Sequence, residues 1–158
     1  MSHEPIRVLP ATEKYGDAFS SCLRKVDRDE LRALDDRVAP NVAIRETLVT
    51  ASEAWMAVDD RDEIVAMWGY REFEGAIIPW MLGSEEVTHY PLSLVRFGRE
   101  YVARMDRLGL PMWNFVWAEN EVAQRWLEVI GFTIDRERTW ETPSGGKFYR
   151  FTRGENNV

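Results

Sequence analysis

A chain of 158 residues is long enough for one well-filled core and too short for two ordinary domains. Apolar residues make up 45% of it, yet no run approaches the roughly 18 consecutive residues needed to cross a bilayer, and the opening MSHEPIRVLP has neither the basic head nor the apolar stretch of a secretory signal. Lys+Arg 20 against Asp+Glu 27 leaves a net charge of −7 with the basic residues scattered, which argues against nucleic acid as a partner, and the single Cys22 excludes an intrachain disulfide and a cysteine-built metal site.

In chain order, Ile6 to Leu9 reads as a short strand ended by Pro10. Residues 12 to 26 read as one helix with Tyr15, Phe19, Cys22, Leu23 and Val26 on its apolar stripe, so Cys22 is expected in buried packing. A second helix is expected over 28 to 37 through Leu31 and Leu34, and a third, after Pro40, over 41 to 50. Trp55 to Val58 and Ile64 to Tyr70 are rich in β-formers around Asp59-Asp60-Arg61-Asp62, the pattern of an antiparallel hairpin. Ala76 to Leu82 is nearly continuous in hydrophobicity, as a strand covered on both faces should be, despite Pro79.

An amphipathic helix follows over about 92 to 108, stopped by Gly109 and Pro111. Met112 to Trp117 is a strand, Glu121 to Ile130 a helix, and Phe132 to Trp140 with Lys147 to Thr152 a closing hairpin. The strand-helix-strand unit permits a parallel pair and the hairpins require antiparallel ones, so the fold class is α/β with a mixed sheet. A single domain over 1–153 with a loose tail at 154–158 is expected. Most of the seven tryptophans, about five, are expected in the core.

The segment Trp113 to Phe132 carries the most information. Asn120 can cap the helix from Glu121, Val122, Trp126 and Ile130 make an apolar row, and Gly131 can end the helix in the left-handed region. The pattern Asn120-x-x-Ala123-x-x-Trp126-Leu127-x-x-x-Gly131-Phe132 resembles the last conserved block of the Gcn5-related N-acetyltransferases, and the element order agrees with theirs. This resemblance implies an N-acyltransferase fold with two splayed central parallel strands and an acyl-CoA groove between Ala76 to Leu82 and Met112 to Trp117. It further implies acetyl-CoA as cofactor, held by Leu82, Gly83, Ser84 and Asn120.

A narrower likeness runs from about Ser93 to Gly154. Met112 to Trp117, Asn120, Ile130-Gly131 and Phe148-x-x-Phe151-Thr152-x-Gly154 resemble the gene 13 internal virion proteins of T7-like phages. That resemblance implies a phage-encoded protein serving virion assembly, with a phage structural or host protein as partner, found in the virion or the host cytoplasm during infection.

Two departures bear on catalysis. Where active transferases carry a glycine-rich phosphate loop, this chain has Gly83-Ser84-Glu85-Glu86-Val87-Thr88-His89-Tyr90-Pro91, with two acidic residues facing an incoming pyrophosphate. Leu127 stands where many members place the tyrosine that reprotonates the departing thiolate, a task left to Tyr90, Tyr149 or water. By order along the chain, Glu72 and Glu74 are the carboxylates best placed to take the proton of an attacking amine. Two distant histidines, His3 and His89, have no ligand-spaced partners, so no metal is expected. The sequence thus favours a noncatalytic or degenerate transferase scaffold, with an acetyl-CoA-dependent N-acetyltransferase of a protein or small-molecule amine as the alternative.

Overall fold

The computed structural model describes residues 6–154, so His3 and the tail from Glu155 onward lie outside the described residues. Seven strands, β1 (Arg7–Pro10), β2 (Glu53–Val58), β3 (Ile64–Phe73), β4 (Ala76–Gly83), β5 (Met112–Trp117), β6 (Thr133–Glu141) and β7 (Lys147–Arg153), form one sheet in the order β1-β2-β3-β4-β5-β7-β6. Every neighbouring pair is antiparallel except the central β4 and β5, which are parallel. The helices α1 (Gly16–Cys22), α2 (Lys25–Leu34), α3 (Pro40–Thr50), α4 (Pro91–Asp106) and α5 (Glu121–Val129) complete the chain, with 3-10 turns at Glu13–Tyr15 and Glu85–His89.

Two helical layers sandwich the sheet. Phe19 and Leu23, with Ile44 and Leu48 of α3, pack on Met56, Met67 and Leu82 on one face. On the other, Leu94 and Phe97 of α4 pack on Trp68 and Val65, and Val102, Met105 and Leu127 close over Ile77, Met112 and Val116. Gly98 lets α4 and α5 meet: a Cβ there would stand 2.7 Å from Ile130 and 2.9 Å from the Trp126 ring.

The single helix expected over 12–26 is instead broken at Leu23 and Arg24. Leu23 makes an isolated bridge to Ser84, and the Arg24 N–H donates to the carbonyl of Gly83 at 2.9 Å, so the backbone leaves the helix to bond the end of β4. The break has two consequences. Cys22 is exposed at the end of α1 rather than buried on a continuous stripe, and the next helix starts at Lys25, three residues earlier than its apolar pattern predicts. The row through Val122 also differs: that side chain is exposed, and Gln124 is buried instead, donating to the carbonyls of Trp117 and Ala118. Of the tryptophans only Trp68 is buried, and Trp140 is exposed.

Candidate active site

The sheet comes apart at its centre, and particular residues cause it. In a strand, successive residues direct their backbone groups to alternate neighbours. Ile77 donates to Pro111 at the only registered pair between β4 and β5, so residues 79, 81 and 83 also turn their groups toward β5. Pro79 has no N–H to offer. The Asn114 carboxamide fills the break: its Nδ2 donates to the Pro79 carbonyl at 2.8 Å, and its Oδ1 accepts the Phe115 N–H at 2.7 Å. One side chain thus stands in for a peptide unit between strands that have begun to diverge.

At the open end, α2 lies across the gap. Asp27, almost fully buried, accepts from the Gly83 N–H at the end of β4 and from Arg24 Nε, both at 2.7 Å. Glu30, one helical turn on, accepts from the Trp117 N–H at the end of β5 at 2.8 Å. Asn120 Nδ2 lies 3.4 Å from a carboxylate oxygen of each, while its Oδ1 accepts the Ala123 N–H and caps α5. The far end of α2 is fixed by the turn between β6 and β7, where Thr142 Oγ1 donates to the Ala33 carbonyl and Ser144 Oγ accepts the Asp36 N–H.

Between these ends lies a cavity of about 650 Å3, lined from both faces of the sheet. Leu31 and Glu30 of α2 and Thr47 of α3 wall one side, Gly98 and Tyr101 of α4 and Trp126 of α5 the other. Its size falls within the range of small-molecule sites. Five of the seven tryptophans line it, Trp55, Trp68, Trp80, Trp126 and Trp140, so indoles expected as core serve as walls. Trp80 lies over Gly69, where a Cβ would stand 2.8 Å from its ring, and Trp126 Nε1 donates to the Leu94 carbonyl of α4. The buried indole N–H groups of Trp68 and Trp80 have no hydrogen-bond partner among the described residues.

The carboxyl of Glu30 is pushed up from 4.5 to about 7. Burial is the main cause; the neighbouring Asp27 charge adds to it, and the Trp117 N–H, Asn120 and Arg24 oppose it. Tyr90, ahead of α4, is also raised, by burial first and then by Asp59 and Asp60.

The residues singled out from the sequence are distributed unevenly about this cavity. Leu82 and Asn120 line it. Gly83 ends β4 just beside it and Ser84 follows, with the Gly83 N–H bonded to Asp27 and Ser84 Oγ donating to the Val65 carbonyl. Glu72 and Glu74 stand at the β3–β4 turn, at the opposite end of β4 from Gly83; Glu72 is exposed and its N–H bonds Ser52, and Glu74 takes a positive φ of 50°. Tyr149 lies on β7, paired with Val116 and flanked by Lys147 and Arg136 over its ring. His89 is exposed and bonded to Glu86.

Asp27, Glu30 and Asn114 were not among the expected site residues. Of these only Asp27 had a legible signal: positions 27, 31 and 34 fall on one face at helical spacing, which puts a carboxylate in line with Leu31 and Leu34.

No family model matches the sequence, and a search of curated proteins returns no match. Solved structures do match over nearly the whole chain. A Gcn5-related-family acetyltransferase from Streptococcus pneumoniae superposes with a TM-score of 0.67 at 12% identity, covering 94% of this chain and 98% of that one. Spermidine N-acetyltransferase from Vibrio cholerae, in complex with CoA and spermine, gives 0.66 at 10% identity with 96% of each chain covered. Ribosomal-protein-S5-alanine acetyltransferase from Vibrio fischeri gives 0.63 at 10% identity, covering 99% and 97%. The chain therefore has the fold of the Gcn5-related N-acetyltransferases, a likeness of architecture at these identities.

Proposed function

We propose that this protein is an acyl-CoA-dependent N-acetyltransferase. The observation that carries the reading is the parting of β4 from β5 beyond Ile77, opening into a cavity lined from both sides of the sheet. Such a slot lets a thioester arm enter between α4 and α5 while an amine approaches from the side of α2, with the acyl carbon meeting it in the gap. The solved structures of the same fold support the reading, since that from Vibrio cholerae holds CoA together with a polyamine.

The residues present fit a pantetheine arm. Met81 turns its backbone groups into the gap by the alternation along β4, and Leu82, Val116 and Ala123 give apolar walls. Asn120 lines the open end of the slot with its amide nitrogen directed to Asp27 and Glu30. The phosphate end is less developed. Glu85 and Glu86 precede α4, and of the arginines lining the cavity Arg24 is committed to Asp27, while Arg125 of α5 is exposed at the rim.

A second reading, a scaffold without catalysis that binds a protein and serves a virion as the phage likeness implies, draws on specific features: the Gly83 N–H is occupied by Asp27, and Leu127 offers no proton. Calorimetry separates the two. Acetyl-CoA is expected to bind the full chain saturably at micromolar concentrations, and Arg125→Glu to weaken it several-fold; absence of binding by the unaltered protein would reject the enzyme and leave the scaffold.

A further inference from the structure

We infer that Glu30 is the proton acceptor for the attacking amine and that the acceptor is a primary alkylammonium entering from the α2 side of the sheet. The inference rests on the acyltransferase reading and adds to it the catalytic base and the substrate class.

Position comes first. Glu30 sits at the open end of the gap, bonded to the end of β5, and lines the cavity. Its Oε1 is fixed by the Trp117 N–H at 2.8 Å and lies near Asn120, while Oε2 takes part in neither contact. One oxygen is therefore anchored and the other is left for a ligand. Anchoring by a backbone amide holds the carboxylate in one orientation, as a base must be held relative to the atom it deprotonates.

Charge comes second. The titratable groups facing Glu30 are Asp27 and Arg24 of its own helix and the start of it; β5 contributes the Trp117 amide and the residue before α5 the Asn120 amide, neither of which titrates. Arg24 is spoken for by Asp27 through a 2.7 Å contact. Around Glu30 itself two carboxylates face one guanidinium, so the ionised Glu30 has no cation of its own, and a substrate ammonium supplies one. Trp80 on the same side offers an aromatic wall against which an alkylammonium is well accommodated.

Proton affinity comes third. A carboxyl raised to about 7 is ionised enough at neutral pH to act and basic enough to take a proton. In the step, the ammonium gives one proton to Glu30 Oε2. The neutral nitrogen then attacks the thioester carbonyl; the N–C bond forms, the C–S bond breaks, and the second nitrogen proton passes to the departing sulfur. Glu30 returns its proton to solvent. One ammonium and one acetyl thioester give one amide, one thiol and one released proton.

The experiment uses the full chain, acetyl-CoA, and two amine probes, spermidine and a short peptide with N-terminal alanine, with acetylated product followed by mass spectrometry and thiol release followed in the absence of amine. Glu30→Gln preserves an acceptor for the Trp117 N–H and so keeps the fold. The expected result is a loss of turnover of about 10² to 10⁴-fold with acetyl-CoA affinity unchanged within twofold, together with disappearance of the acid limb near pH 7 from kcat/KM. Unchanged turnover, or a persisting acid limb, in Glu30→Gln overturns the assignment while leaving the acyltransferase reading intact; so does a loss found in Glu72→Gln instead. Acetyl-CoA that binds but is neither transferred nor hydrolysed by the unaltered protein counts against Glu30 as a base. Failure of acetyl-CoA to bind at all removes both.

Discussion

Proline at position 79 and asparagine at 114 together explain where the central strands stop pairing. The proline cannot complete a ladder bond to β5, and the Asn114 carboxamide offers one donor and one acceptor at the spacing of the missing peptide group. Replacing Asn114 by Leu keeps the bulk but orphans both the Pro79 carbonyl and the Phe115 N–H, for an expected cost of about 1–3 kcal/mol in chemical denaturation. Restoring full stability with Leu would show that the carboxamide is incidental. The pairing was not legible in the sequence, because Asn114 sits within an aromatic run and its partner lies on another strand, 35 residues away. Pro79, by contrast, was visible as an anomaly in an otherwise strand-like segment, and the structure turns that anomaly into the start of the gap.

Among the elements, α2 has the most unusual position. Three attachments hold it over the opening: Asp27 to β4, Glu30 to β5, and its C-terminal end to the β6–β7 turn. The last is a close fit, since a Cβ on Gly146 would stand 2.4 Å from the Ala33 carbonyl oxygen. Gly146→Ala is therefore expected to lift that end, and amide hydrogen exchange in residues 25–34 should quicken relative to α4. Equal protection in both helices would mean that the turn does not secure α2. The long periodic elements could be read directly: β5 falls at its expected residues, and α4 and α5 lie within a residue or two of theirs. The placement of α2 could not, because its start depends on Arg24 bonding Gly83, 59 residues later in the sequence, and local periodicity carries no information about that contact.

For the whole molecule, the raised carboxyl couples folding to pH. A free Glu ionises near 4.5, and in the folded chain Glu30 does so near 7, so the folded state holds this proton more tightly. The resulting stabilisation is complete below pH 4.5 and is lost as pH rises through about 7. Gln at this position mimics the protonated form at every pH. Thermal unfolding of Glu30→Gln should accordingly match the parent near pH 4.5 and lie above it at pH 8, and a difference in Tm that does not grow over that interval would refute the coupling. The overall architecture, a mixed α/β sheet with a parallel central pair, follows from the alternation of helical and strand periodicities. The chemistry of its opening does not, because it depends on side chains from α2, β5 and the start of α5 that meet only after folding.

The absent donor at residue 79 belongs to the covalent chain, so the ladder between the two central strands lacks that bond whether the slot is filled or empty. A guest entering there meets an aperture already formed, and none of its affinity is drawn down in prising a sheet apart.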